Sequence, residues 1–298
     1  MKNADLQKVL EFCENEKLYF GEGNPNAKIL FIGQEIGYGL EKLKYKQPNF
    51  AEIKEKSEKE INQNLRFWQE RCQSNYVEQY LQDIERLFRE KPNRTWENYQ
   101  KIVNVILGRD INEKQHDFLN YSFITEYSQL SLPKSQYRPK EMDKKEFDKK
   151  KKESINERKA LFSQEFFQNF PIIIMACGHY PTKLFPMDIE TVFGVKWCGE
   201  SKGKIGNYYN LHQGENKILI HTRQVSMGVT NELLFEIAEL CKPIYDKHIE
   251  CEMAKILNAA EKRWNNGGKE IYEAMQNNPD FIHSPEYKKY MENLEKEN

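Results

Sequence analysis

The hydrophobic pattern contains four short apolar segments bounded by turn residues, which is typical of buried β-strands. They cover residues 28–32, 121–125, 171–176 and 217–220. The first, third and fourth are apolar without alternation, as in strands of a parallel sheet that is covered on both faces. We therefore predict that these segments form the central sheet of an α/β protein.

Helical periodicity fills the intervals between the predicted strands. Apolar residues recur every three or four positions within 76–88, 96–106 and 233–241. The second of these helices is expected to end at Gly108 and the third before Pro243. Helices that alternate with buried strands predict a layered α/β fold with right-handed crossovers.

Two charged stretches look like additions to this core. Residues 48–98 have a helical pattern and lie between the first two predicted strands. Residues 138–160 carry a mixed-sign run, which we interpret as a solvated helix face or a mobile loop, with contact to nucleic acid as the alternative. We predict one domain over residues 1–248 that carries both insertions, and a helical C-terminal extension over 249–298.

The charges of the 298-residue chain are balanced. It has 45 Lys and Arg residues against 46 Asp and Glu, a net charge of −1 and a pI of about 6.6. Aromatic residues make up 12%, which argues against a wholly disordered chain despite a mean hydropathy of −0.85. The sequence therefore lacks the strong positive charge that is the simplest indication of a nucleic-acid partner.

The cysteines and the apolar runs indicate the compartment. None of the six cysteines forms a C-x-x-C pair, so neither a thiolate metal site nor a disulfide is expected. Residues 1–12 are too polar for a signal peptide, and no apolar run reaches the ~18–20 residues that cross a bilayer. We predict a cytoplasmic protein without a membrane segment, a metal or a cofactor.

Polar residues follow the predicted strands at their C-terminal ends, where open α/β sheets bind ligands. The first strand ends in the segment 33–39, which reads Gly-Gln-Glu-Ile-Gly-Tyr-Gly. The second continues into Glu126, and the fourth ends in His221, Thr222 and Arg223. We expect these side chains to converge on one edge of the sheet and to form a binding or catalytic site there.

Each of these residues also has a purely structural explanation. The glycines fit neither a Walker A loop nor a Rossmann fingerprint, so they can simply relieve the turn into a helix. Glu35 can complement a helix dipole, His221 can be a hydrogen-bonded core residue, and Arg223 can form a surface ion pair. Their common position at the strand ends is what favours a functional site.

A resemblance to a known family begins in residues 20–33, which read Phe-Gly-Glu-Gly-Asn-Pro-Asn-Ala-Lys-Ile-Leu-Phe-Ile-Gly. This segment resembles the entry of the uracil-DNA glycosylase superfamily, whose members often carry G-E-G-x-P-x-A before a strand and a Gly-rich catalytic loop. Segments similar to the family's later strands follow in the same order at 122–126, 172–178 and 218–221. The resemblance covers about residues 18–40, 96–133 and 165–242.

The resemblance implies a three-layer α/β/α sandwich on a short parallel four-stranded sheet, and the excision of a base from DNA. Cleaving an N-glycosidic bond builds positive charge on the sugar and negative charge on the departing base. Glu35 stands at the family's catalytic position, where it would stabilise the sugar cation or position water. His221 matches the histidine that hydrogen-bonds the base as negative charge develops.

The resemblance also implies a pocket for a base that is flipped out of the stack. Main-chain groups at Gln34 would hold the base, Tyr38 would stack on it, and Arg223 would contact phosphate. The substrate-binding residues implied in this way are Gly33, Gln34, Gly37, Tyr38, Glu126, Thr222 and Arg223.

Several positions depart from the family pattern. Ile36 replaces a proline after the catalytic position, and Thr222 with Arg223 replaces Pro-Ser after the histidine. Glu126 stands where the family has a base-reading asparagine. Because an ionised carboxylate only accepts hydrogen bonds, Glu126 would favour a base with an amino group. The cysteines of the family's iron–sulfur branch are missing, so no cluster is implied.

The resemblance therefore implies a hydrolase that cleaves the N-glycosidic bond of a damaged or modified base, uracil or a related one, in single- or double-stranded DNA. Two alternatives stay open. The chain can be a catalytically inactive module that keeps the fold in order to bind nucleic acid or protein. It can also be an enzyme that acts on a free nucleoside or nucleotide.

Overall fold

The computed structural model describes residues 4–37, 47–72, 93–133, 137–202, 207–226, 228–278 and 284–296. The chain divides into two compact units, residues 1–245 and residues 246–298. The first unit contains the sheet and the strand ends on which the sequence analysis depends.

The four predicted strands are present and lie side by side in the sheet. They are β2 (Ile29–Gly37), β3 (Ser122–Leu132), β4 (Ile172–Met175) and β7 (Ile218–Thr222). Their order across the sheet is β3-β2-β4-β7, and each neighbouring pair is parallel. The α/β class predicted from the apolar runs is therefore confirmed.

The sheet is larger than predicted, and it is mixed. The two-residue strand β1 (Glu22–Gly23) pairs antiparallel with β3, and β5 (Lys196–Lys202) and β6 (Tyr208–Gln213) continue the sheet antiparallel beyond β7. The expectation of a short sheet of four strands was thus wrong in size. The reason is that β5 and β6 are largely polar and half-exposed, so they give no apolar run in the sequence.

Both faces of the sheet are covered by helices. Successive residues of a strand point to opposite faces, so Leu30 and Ile32 join one apolar cluster, and Ile29 and Phe31 join the other. Two covered faces explain why β2, β4 and β7 are apolar without alternation. The helices of the first unit in the described ranges are α1 (Ala4–Glu16), α2 (Phe50–Cys72), α3 (Arg94–Ile106), α4 (Phe118–Tyr121), α5 (Lys144–Phe162), α6 (Glu165–Gln168), α7 (Ile189–Phe193) and the start of α8 (Asn231–Arg263), with a π-helical turn over Tyr180–Leu184.

Helix α2, which lies in the stretch 48–98, packs into the core. Trp68 is buried in the same apolar cluster as Leu30. Its indole Nε1 and the Nδ2 of Asn64 each donate a hydrogen bond to the carbonyl of Gly21, both at 2.8 Å. The helix therefore fixes the chain that enters β2. The predicted helix over 76–88 lies outside the described residues.

The charged run 138–160 forms a helix that exposes one charged face and buries the other, so the expected solvated helix face is present and the mobile loop is not. Helix α5 begins after Asp143, whose side chain accepts a hydrogen bond from the amide of Glu146 at 2.8 Å. Phe147, Lys151, Ser154, Ile155, Arg158, Leu161 and Phe162 are buried along it. The exposed charges between these positions hide the buried stripe when the sequence is read alone.

Helix α8 also differs from the expectation, because it does not end before Pro243. It continues through this proline to Arg263 and so extends past the boundary between the two units. A proline removes one backbone hydrogen bond from a helix interior, and the helix continues here despite that loss.

The second unit is helical. It contains the rest of α8, a π-helical turn over Trp264–Gly268, α9 (Lys269–Asn277) and α10 (Pro285–Lys296). No residue of α9 is buried, although the rings of Trp264 and Tyr272 lie 5.6 Å apart. In the described parts of both units, no helix has the length and apolar character that a membrane span requires.

Gly21 and Gly199 allow a test of how tightly the chain before β2 is packed. Both have a positive φ, +140° and +146°, which strains any other residue. A Cβ on Gly21 would lie 2.3 Å from the carbonyl oxygen of Ile124, whereas a Cβ on Gly199 meets nothing within 4 Å. We expect Gly199→Ala to lower the free energy of unfolding by about 1–2 kcal/mol, and Gly21→Ala by at least ~2 kcal/mol more. Urea unfolding measures both, and equal losses would contradict this packing.

Candidate functional site

A cleft of about 950 Å³ lies at the carboxyl ends of the central strands. Gln34 from the end of β2, Gly178 after β4 and Arg223 after β7 line it. From β2 the chain continues to β3 on one side of the sheet, and later to β4 on the other side. Ligands of open α/β sheets bind outside such a reversal of strand order, so the topology itself marks this cleft.

The lining of the cleft combines positive charge with aromatic rings. The basic side chains are those of Arg138, Lys144, Lys151, His179 and Arg223. The rings are those of Tyr137, Phe147, Tyr180, Phe185 and Tyr208. Among the lining residues that the structure describes, Asp148 alone carries a carboxylate. Such a lining suits a ligand that has anionic groups as well as flat rings.

Glu35 lies behind this lining and contacts two of its members. Its Oε1 accepts a hydrogen bond from Lys151 Nζ at 2.6 Å and another from the hydroxyl of Tyr180. Lys151 also hydrogen-bonds Tyr180, so the three side chains form one cluster. The side chains of Lys151 and Glu35 are only 4% and 6% exposed. We call Glu35, Lys151 and Tyr180 the carboxylate cluster.

Burial changes the proton affinity of two members of the carboxylate cluster. It lowers the pKa of Lys151, although the neighbouring Glu35 acts in the opposite direction. Burial raises the pKa of Tyr180, and the negative charge of Glu35 raises it further. The lysine therefore releases its proton more easily than usual, whereas the phenol keeps its own. Such a cluster can move a proton at the wall of the cleft.

Glu126 is half-buried beside Gly33 at the same edge of the sheet, with its Oε2 atom inaccessible to solvent. A Cβ on Gly33 would lie 2.2 Å from Glu126 Oε2, so the missing side chain makes room for this carboxyl. Oε2 has no hydrogen-bond partner among the described residues. Burial raises the pKa of Glu126 well above its usual range, and the charge of Glu35 raises it further. Burial thus favours the neutral, protonated form, which can donate a hydrogen bond.

His221 is buried at the end of β7 and has a defined tautomer. Its Nε2 lies 2.6 Å from the carbonyl oxygen of Gly178, which can only accept, so Nε2 carries the proton. Nδ1 is buried and has no partner within the described part of the chain. Burial lowers the pKa of His221 to about 4, so the imidazole is neutral at neutral pH.

The remaining predicted residues have different environments. Gln34 Nε2 donates to the carbonyl of Cys177 at 2.9 Å, which links β2 to β4 beneath the cleft. Thr222 is buried, and its hydroxyl donates to the carbonyl of Tyr208 at 2.6 Å, so it has a structural role. Arg223 lines the cleft and donates to Gly228 O at 3.1 Å. Gly37 ends β2, and Tyr38 lies outside the described residues.

The structure thus separates the predicted residues into two groups. Gln34 and Arg223 line the cleft, whereas Glu35, Glu126 and His221 lie behind its surface. The reasoning from sequence missed the two residues that contact Glu35, namely Lys151 and Tyr180. The sequence does carry a signal for Lys151, because it lies four residues after Phe147 and four before Ile155, on the apolar face of α5.

Comparisons of this chain with models of protein families, with curated proteins and with solved structures find no match. The resemblance to the uracil-DNA glycosylase superfamily therefore stays a prediction that rests on the residues quoted for it. In the described ranges, no group of three or more His, Cys, Asp or Glu residues is arranged to hold a metal ion.

The buried imidazole predicts how stability depends on pH. Because the pKa of His221 is about 4 in the fold and 6.5 in the unfolded chain, the unfolded state binds the proton first as the pH falls. The contribution of neutral His221 to the free energy of unfolding is therefore fully present above pH 6.5, and it is lost as the pH falls from 6.5 to about 4. From about pH 7 to about pH 4.5, the wild type should lose about 2 kcal/mol more free energy of unfolding than His221→Gln. Urea unfolding at both pH values measures this, and parallel losses would show that His221 titrates normally.

Proposed function

We propose that the first unit is an N-glycosidic bond hydrolase with the α/β/α fold of the uracil-DNA glycosylase type, which removes a damaged or modified base from DNA. The observation that carries this proposal is the cleft at the reversal of strand order. Its lining is basic and aromatic, and a carboxylate cluster forms part of its wall. Phosphates, a sugar and a flat base are the chemical groups that such a lining suits.

Glu35 is the group that we assign to the developing charge on the sugar. Breaking the glycosidic bond leaves positive charge on the sugar, which a fixed carboxylate stabilises without reorganising. Lys151 and Tyr180 hold Oε1 of Glu35 in place at the wall of the cleft. Their hydrogen bonds keep the carboxylate oriented before a substrate binds, which is the pre-organisation that this kind of catalysis requires.

His221 and Glu126 are the neutral donors for the departing base. The imidazole of His221 donates its Nε2 proton to Gly178 O in the free protein, so the base has to replace this carbonyl as the acceptor. The protonated form of Glu126 offers a donor on one oxygen and an acceptor on the other. That form is compatible with a base carbonyl such as O4 of uracil, which an ionised carboxylate would repel.

The size of the cleft favours a second candidate, an enzyme that acts on a free nucleotide. About 950 Å³ is within the range of pockets that bind small molecules, and the basic lining would suit the phosphate of a mononucleotide. This candidate uses the same carboxylate cluster but needs no contact with a DNA strand.

Base release tests the proposed function directly. Oligonucleotides that contain uracil, hypoxanthine or a modified cytosine, in single- and double-stranded form, are incubated with the protein, and free base is measured by chromatography. We expect release from at least one of them. Glu35→Gln should slow it by roughly 10²-fold or more, because the variant loses the charge that stabilises the sugar cation. Glu236→Gln, an exposed substitution of the same kind in α8, should leave the rate unchanged.

The other outcomes separate the alternatives. Salt-dependent DNA binding without base release by the folded protein would contradict the hydrolase and favour a binding module. Thermal stabilisation by free nucleotides without affinity for DNA would favour the second candidate. Release that Glu35→Gln does not slow would refute the role assigned to the carboxylate cluster.

A further inference from the structure

Helix α5 buries two cationic side chains, and only one of them lines the cleft. Arg158 donates to main-chain carbonyls, including that of Glu126 at 3.0 Å, and it lies away from the cleft lining. Lys151, seven residues earlier on the same helix face, lines the cleft although its side chain is only 4% exposed. Arg158 therefore has the environment of a structural cation, whereas Lys151 presents an amine to a ligand.

We propose that Lys151 is an amine nucleophile that forms an imine with the sugar aldehyde left after a base is removed, so that the protein also cleaves DNA at abasic sites. This proposal rests on the proposed function, because it assigns the second substrate of the same cleft. The aldehyde is the open-chain form of the sugar C1′ carbon after its base has been hydrolysed away.

The surroundings of Lys151 remove its amine from water. Its Nζ lies 4.4 Å from the centroid of the Tyr180 ring and 5.6 Å from that of Phe185. The Lys151 side chain is only 4% exposed, and desolvation is a general way to activate a lysine for imine chemistry. Its lowered pKa agrees with this geometry.

The other members of the carboxylate cluster can handle the protons of the reaction. Glu35 Oε1 lies 2.6 Å from the amine and can take the proton that the nitrogen loses when it attacks a carbonyl. The protonated Glu35 can then pass this proton to the oxygen that leaves as water, while Tyr180, which hydrogen-bonds both residues, holds them in place. The nucleophile and the group that moves its protons therefore meet at one place in the cleft wall.

The reaction balances in three steps. The amine adds to C1′, a C–N bond forms, and the carbonyl oxygen leaves as water, which gives the imine. Loss of the C2′ proton to a carboxylate then breaks the C3′–O bond, so the 3′ phosphate leaves and the strand is cut. Water finally hydrolyses the imine and regenerates the amine, so no oxidant or reductant is consumed.

Reductive trapping tests this proposal on the full chain. An oligonucleotide with an abasic site, prepared by another enzyme, is mixed with the protein and sodium cyanoborohydride, which reduces an imine to a stable amine. We expect a covalent protein–DNA adduct on a denaturing gel, and peptide mass spectrometry should place it on Lys151. Without the reductant, the same oligonucleotide should be cut. A tetrahydrofuran analogue of the site, which has no aldehyde, should give neither result.

Matched variants separate Lys151 from its neighbours. Lys151→Met should reduce trapping by at least ~10²-fold, whereas Lys149→Met, an exposed lysine on the same helix, should leave it unchanged. Mapping the adduct on the wild type keeps the test decisive if Lys151→Met does not fold. No adduct, or an adduct on another lysine, would overturn the proposal.

The abasic substrate also keeps this test independent of base release. An adduct on Lys151 without release of any base would contradict the proposed hydrolase while supporting the lysine chemistry. Base release without an adduct would leave the hydrolase in place and refute the imine.

Discussion

The site depends on how two buried positive charges of α5 are compensated. Removing a cation from water is costly, and the cost is offset only when the charge finds partners in the interior. Arg158 finds main-chain carbonyls and the hydroxyl of Thr125, so it joins α5 to β3 and to the chain before β1. Lys151 finds Glu35, so it joins the same helix to the end of β2. The carboxylate at the cleft is therefore held in position by the packing of the fold.

The central fold could be predicted because strands that are buried on both faces are uninterrupted apolar runs in the sequence. The strands β2, β4 and β7 are uninterrupted apolar runs, and their carboxyl ends carry polar residues as the topology requires. The strands β5 and β6 could not be found in this way. They are largely polar and carry no apolar run, and only the pairing of β6 with β7 and of β5 with β6 shows that they are strands.

One part of the site could be predicted and another could not. The rule that ligands bind at strand ends selects Gln34, Glu35 and Arg223 from the sequence alone. Lys151 is hidden in a run of consecutive lysines from Lys149 to Lys152, where composition is uniform and only the phase of the helix decides which one is buried. The protonation states of Lys151, Tyr180 and Glu126 could not be predicted from the sequence either, because they depend on burial and on which charges become neighbours in the folded chain.

The contact between Gly33 and Glu126 couples two positions that are 93 residues apart in the sequence. The carboxyl occupies the volume that a Cβ at position 33 would need, so a side chain there would push the Glu126 carboxyl away from its place. A residue larger than glycine at 33 fits without this displacement when position 126 is shortened, and the space behind the cleft then loses a neutral carboxyl. The missing Cβ at position 33 thus decides whether the neighbouring strand can hold a carboxyl behind the cleft.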